Sequence, residues 1–97
     1  MPNRRYAKGA RMERAVKHAL EARGYAVVRS AGSKSPYDLI AIDSQDVLLV
    51  QCKSNRLSQN MRERLRNAML GGSTANTWRR LRAAVLDADW RRQVQSL

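Results

Sequence analysis

The run Val47-Leu48-Leu49-Val50 constrains the fold more than any other feature. Four successive apolar residues in a strand leave no polar face for water, so the sheet containing them must be covered on both sides. Residues 37–43 form a second apolar stretch, and Ser44, Gln45 and Asp46 between the two mark a turn. Together they predict an antiparallel hairpin over 37–43 and 47–53. Residues 25–30, rich in valine and opened by Tyr25, predict a third strand, followed by a loop from Ala31 to Pro36.

Helical cover must come from the flanks. Met12, Val16, Ala19 and Leu20 recur at helical spacing, and Gly24 supplies a stop, which predicts a helix over 10–23. Residues 1–9 show no periodicity and read as a basic arm carrying Arg4, Arg5 and Lys8. Toward the C-terminus, Met61, Leu65, Ala68 and Met69 make one amphipathic stripe before Gly71-Gly72. Trp78, Leu81 and Val85, continued by Trp90, Val94 and Leu97, make another. A short strand over 83–88 competes with the second stripe, because six residues do not separate the two periods. The expected architecture is α/β: an N-terminal helix, a mixed sheet of three or more strands around the central antiparallel hairpin, and C-terminal helices on the other face. At 97 residues, with no change in composition along the chain, it is expected to be one domain, 1–97.

Charge indicates the partner. Lys and Arg number 19 against 8 Asp and Glu, a net charge of +11 that favours a polyanion, nucleic acid first. The excess lies in 1–34 and 57–97, whereas 35–56 holds two bases and three acids, Asp38, Asp43 and Asp46. Either the hairpin carries a small carboxylate site within a phosphate-binding surface, or its aspartates are ordinary turn residues. A single cysteine excludes an intrachain disulfide and a cysteine zinc cluster. Basic residues at the N-terminus are not followed by an apolar signal region, and no apolar run approaches the roughly 18 residues of a membrane span. A cytoplasmic, intracellular protein with no membrane partner is expected, in a cell or a virus-infected host.

The candidate chemistry centres on the hairpin. Alternation puts Gln51 and Lys53 on one face of their strand and Cys52 on the other. A register that sets Asp38 opposite 51 or 53 would gather polar groups at one end of an apolar sheet, a costly arrangement that is common at working sites. The simpler alternative is an Asp38–Lys53 cross-strand ion pair. Glu13 lies along the edge of the first helix's apolar stripe and could join Asp38. Two carboxylates suffice for Mg²⁺, which keeps several waters of its own. The Gln51 amide and the Cys52 backbone carbonyl offer neutral oxygens, and Lys53 could orient a water or offset charge developing on a phosphate. His18 reads as a solvated helix residue, Cys52 as a small core residue, and Trp78 and Trp90 as core anchors. The C-terminal arginines either solvate a helix or contact phosphate.

Lys8-Gly9-Ala10, Glu13-Arg14, the run from Gly24 through Ser33, Asp38-Leu39-Ile40-Ala41 and Cys52-Lys53 resemble the archaeal Holliday junction resolvases, members of the PD-(D/E)xK nuclease superfamily. The resemblance spans about residues 4–55. It implies a restriction endonuclease-like core and Mg²⁺-dependent hydrolysis of branched, four-way junction DNA by a homodimer, with Mn²⁺ as a substitute ion. By the same resemblance, Glu13 and Asp38 are metal-binding acids, Lys53 is the catalytic lysine and Ser33 falls near a loop serine that some members need for cleavage. Arg14 and Arg29 fall on DNA-contacting arginines. Arg4, Arg5, Lys8, Arg11 and Lys34 complete the expected DNA-binding set. Gln51 stands where the family has a metal-binding glutamate, so the cage loses one negative charge. The chain after Lys53 is shorter than in the family, and its later strands are not evident from the sequence. Three hypotheses follow: a junction-cleaving nuclease, a relative that binds DNA without cutting it, and a basic RNA-associated scaffold in which Asp38 and Lys53 lie apart.

Overall fold

A computed structural model describes residues 4–30, 37–71 and 80–97, with side chains over 9–30, 37–71 and 81–97. The elements follow in the order α1 (Arg4–Ala22), β1 (Ala26–Arg29), β2 (Leu39–Ile42), β3 (Asp46–Cys52), α2 (Gln59–Leu70), β4 (Arg80–Leu86) and α3 (Trp90–Gln95). The four strands form one sheet in the order β1-β2-β3-β4. The first three are antiparallel to their neighbours, and β4 is parallel to β3 after the α2 crossover.

Met12, Val16 and Leu20 are buried at i, i+4 and i+8 and seat α1 on one face of the sheet. They meet Leu39 and Ala41 of β2, Leu48 and Val50 of β3, and Ala84 and Leu86 of β4. The intervening strand residues Leu49 and Val85 face the opposite way and pack with Met69 of α2, flanked by Ile40, Leu65 and Leu81. The continuous apolar run of β3 is thus divided between two cores, Leu48 and Val50 to one and Leu49 to the other.

Local chemistry sets the boundaries. Gly24 ends α1 with φ +97, a left-handed conformation that favours glycine. Its N–H donates to the Glu21 carbonyl and that of Tyr25 to the Leu20 carbonyl, the double closure of a Schellman turn. Asp43 builds the β2–β3 turn, its Oδ1 accepting from the N–H groups of Gln45 (2.8 Å) and Asp46 (2.7 Å). Ser58 caps α2 by accepting from the Met61 N–H at 3.2 Å.

Four expectations need correction. The basic arm is not separate, since residues 4–9 are the first turns of α1 and Gly9 lies within the helix. The 78–97 stripe is not one helix: its described part is β4, a turn and α3. β4 overlaps the short strand over 83–88 that competed with the stripe, beginning and ending earlier than that alternative. The second helical layer is α2, whereas Trp90, Val94 and Leu97 of the last segment pack on the same side as α1. Within α2, Met61 and Ala68 are exposed, because the buried stripe runs through Leu65 and Met69, with Arg62 alongside.

Candidate active site at the end of the β2–β3 hairpin

Where β2 begins and β3 ends, the ladder runs out. Leu39 pairs with Val50, so continuing the register sets Asp38 opposite Gln51. The Asp38 N–H donates to the Val50 carbonyl at 2.8 Å, and its own carbonyl accepts from the Ser30 N–H at 2.8 Å. The backbone of Asp38 is therefore held from both sides, and its side chain closes the gap ahead of it. Asp38 Oδ2 accepts from the Cys52 N–H at 2.8 Å. In an extended strand the N–H and C=O of one residue point the same way, so the Cys52 carbonyl also turns toward β2 and Asp38.

Glu13 reaches this end from α1. Its side chain is largely covered, and burial first, then the nearby negative charge of Asp38, push its carboxyl above the ordinary range. The Arg29 guanidinium, with Nε 3.5 Å from Oε1, pulls it partly back. Arg29 is the last residue of β1, so α1, β1, β2 and β3 each contribute a charged or polar group here. The Cys52 thiol packs against the α1-side core. Burial, reinforced by Asp38 and Glu13, raises its pKa far above the usual thiol value, leaving an un-ionised core residue. This agrees with the expectation from sequence.

Gln51 and Lys53 follow on the other face of β3, the half-buried amide opposite Asp38 and the lysine exposed. The Lys53 N–H donates to the Leu86 carbonyl of β4 at 2.8 Å, which fixes where this side chain leaves the sheet. Asp38, Gln51 and Lys53 share a face and an end of the sheet, contrary to the arrangement the RNA-scaffold hypothesis requires. Among the described residues, Asp38 and Lys53 form no salt bridge, so the simple cross-strand pair is also not what is seen. Glu13 stands on the α1 side, and the Asp38 carboxylate reaches the backbone N–H of Cys52.

The other hairpin acids have different duties. Asp43 is a turn residue, and buried Asp46 receives Arg82 Nη1 at 2.9 Å. Of the three aspartates in the acidic stretch, only Asp38 belongs to the site. Arg11 and Arg14 are exposed on α1, and Arg29 is exposed beside Glu13. Arg4, Arg5 and Lys8 lie on the first turns of α1, with side chains outside the described set. Ser33, Lys34 and Trp78 lie outside the described residues altogether. His18 is exposed, and Trp90 packs on the core with Arg91 stacked 4.5 Å above its ring.

Asp87, which sequence reasoning missed, is 2% exposed just beyond β4. Its Oδ2 accepts from the Leu57 N–H, and its Oδ1 accepts from the Asp89 N–H and Gln93 Nε2. Gln93 Oε1 in turn accepts from the Asp87 N–H at 3.0 Å. Burial opposes the charge, but these hydrogen bonds and the Arg62 guanidinium overcome it and hold the carboxyl below the usual range. The sequence signal was faint, an Asp-Ala-Asp after an apolar triplet.

A half-buried helix acid near an aspartate that immediately precedes β2, with an x-Lys on the hairpin partner, lies on an αβββαβ core that is consistent with the restriction endonuclease-like fold. The model of the archaeal Holliday junction resolvase (Hjc) family matches residues 4–65, well over half of the chain, and the protein belongs to that family. It is also 49% identical over 51 residues to the crossover junction endodeoxyribonuclease Hjc of Methanocaldococcus jannaschii. That similarity takes in 53% of this chain and 38% of the relative, so the chain spans well under half the length of the curated protein it matches.

Proposed function

We propose that this protein is a metal-dependent endodeoxyribonuclease that cleaves branched, four-way junction DNA, acting as a homodimer. The observation that carries this is the position of Asp38. It is tied by its carboxylate to the strand bearing Gln51 and Lys53, and it lies close enough to Glu13 to raise that residue's pKa. The relative's name as a crossover junction endodeoxyribonuclease supplies the substrate class, and the +11 charge suits a polyanion.

The donors present fit a hard divalent cation. Two mutually repelling carboxylates, Glu13 and Asp38, gain from a positive charge between them, and the carbonyl oxygens of Gln51 and Cys52 are of the type Mg²⁺ accepts. When bound, such an ion polarises the scissile phosphate and lowers the pKa of a water. The chain's own residues do the rest. The Cys52 N–H holds Asp38 in one orientation, leaving Oδ1 for the cation. Arg29, paired with Glu13 in this state, is placed to meet a DNA phosphate beside the centre. Lys53 presents an ammonium on a flexible stem where negative charge builds on the phosphate oxygens.

Gln51 favours a second reading. An amide in place of a carboxylate removes one negative charge from the cage, and a protein with this change could hold junction DNA without hydrolysing it. Incubating purified protein with a labelled four-way junction and Mg²⁺ or Mn²⁺ separates the two. Paired cuts that vanish in Asp38→Ala support the nuclease. Salt-sensitive binding with no cutting in either metal leaves the binding module.

A further inference from the structure

The end of the chain forms a second basic feature, separate from the centre above. Between α2 and α3, along the outer edge of β4, runs a cleft with Arg62, Arg66 and Arg92 on its walls and no aspartate or glutamate in its lining. β4 is the last strand of the sheet, so the cleft floor is strand edge. Lys53 donates its N–H to Leu86, so Leu86 faces β3, and by alternation Ala83 and Val85 turn their backbone groups into the cleft.

The three arginines are not equivalent. Arg62 is built into the fold: its Nη2 donates to the Val85 carbonyl at 3.0 Å, and its Nε is buried without a hydrogen-bond partner among the described residues. Arg92 bonds Asp89 at 3.0 Å on its solvent side, and Arg66 forms no ion pair among the described residues. Arg62 lies near the Asp87 carboxylate and Arg92 is paired with Asp89, but Arg66 has no anionic partner among the described residues and the buried Arg62 Nε–H has no acceptor, and both are unfavourable in a groove. Both features favour an anion that can accept several N–H bonds at once. Arg62 already occupies the Val85 carbonyl, an acceptor that an added peptide strand would need, which favours a phosphate over a protein segment.

We infer that this cleft is a phosphodiester-binding site that seats a stretch of DNA backbone away from the cleavage centre, with Arg66 and Arg92 as the contacting residues. The inference rests on the DNA-binding reading above. The Lys53–Leu86 hydrogen bond places the cleft floor one strand beyond the proposed catalytic lysine, so one DNA molecule can engage both. Cleft contacts of this kind fix position on the duplex and carry no sequence preference.

The test is equilibrium binding of the full chain to a four-way junction over a range of salt, in EDTA so that nothing is cut. Arg66→Ala/Arg92→Ala should make the slope of log affinity against log salt shallower by about two, and weaken binding by about tenfold or more near 0.15 M salt. Arg66→Lys/Arg92→Lys, which keeps the charge, should restore most of the slope. Arg66→Ala alone, at a half-buried position of α2, gives about half the effect and guards against a folding defect in the double variant. An unaltered slope in the alanine variants overturns the inference. If a polyglutamate peptide then shifts the Ala83 and Val85 amide resonances, the cleft is a docking edge for protein instead. A wild-type protein that binds no junction sinks the DNA reading itself, before any variant is made.

Discussion

The carboxylate of Asp38 accepts the backbone N–H of Cys52 at 2.8 Å, so the aspartate that opens β2 is oriented by the strand carrying Gln51 and Lys53. One oxygen secures the hairpin, and on the proposed function the other would face the cation. Asp38→Asn keeps the shape and an acceptor for Cys52 but loses the charge. It should fold normally and reduce junction cleavage by at least about a hundredfold, the scale of losing one charge-stabilising group. Junction binding should change little. Single-turnover cleavage beside a binding assay checks both.

Gln51→Glu should strengthen divalent-ion binding and raise cutting most at low Mg²⁺. The added carboxylate would stand across the ladder from Asp38 and join Glu13 and Asp38 in the proposed cage. A Mg²⁺ titration of the cleavage rate reads this as a lower half-saturating concentration. An unchanged curve would mean that Glu13 and Asp38 alone govern the ion.

Glu13 should be a cost to the metal-free fold. Its carboxyl is raised by burial and by Asp38, so its favourable contribution is complete below the unfolded pKa and is lost as pH rises through the higher folded value. Glu13→Gln should therefore melt above wild type at pH 7 in EDTA and lose the difference near pH 3. Added Mg²⁺ or Mn²⁺ should raise the melting temperature of wild type and have little effect on the variant.

Asp87 behaves in the opposite sense. Its carboxyl is held low, so its stabilising contribution is present above the unfolded pKa and disappears as pH falls through the folded one. Asp87→Ala strands the N–H groups of Leu57 and Asp89 and the Gln93 amide, at a cost of about 3 kcal/mol. Urea unfolding at pH 7 should show that loss, and the gap between variant and wild type should narrow as pH falls below the unfolded carboxylate range.

The hairpin and α1 were legible because their signals are long or two-sided. Val47-Leu48-Leu49-Val50 has no helical alternative as good, and Gly24 stands where the chain needs positive φ. β4 was not legible. Leu81, Ala83 and Val85 alternate with Arg80, Arg82 and Ala84, a period of two, but Leu81 and Val85 also fit a helix with Trp78. What decides is tertiary: Arg82 answers the buried Asp46 across the parallel pair, a contact no local window contains. The first turns of α1 were hidden by a glycine and several bases with no apolar repeat. In α2 the stripe was placed one residue off, because Arg62, a charged residue, belongs to the half-buried face and Met61 does not. At the site, Glu13, Asp38 and Lys53 were visible as residue types, while the Cys52 N–H that orients Asp38 belongs to the backbone and leaves no trace in composition.

The two margins of the sheet are unequally guarded. At β4 the Arg62 guanidinium sits on the Val85 carbonyl and Gln93 on the Asp87 N–H. At β1, four residues long, Val28 is 56% exposed, and among the described residues β2 is the one strand paired with it. Cross-β stacking in concentrated solutions would therefore begin along β1, and a lysine in place of Val28 is the substitution that would keep such preparations clear.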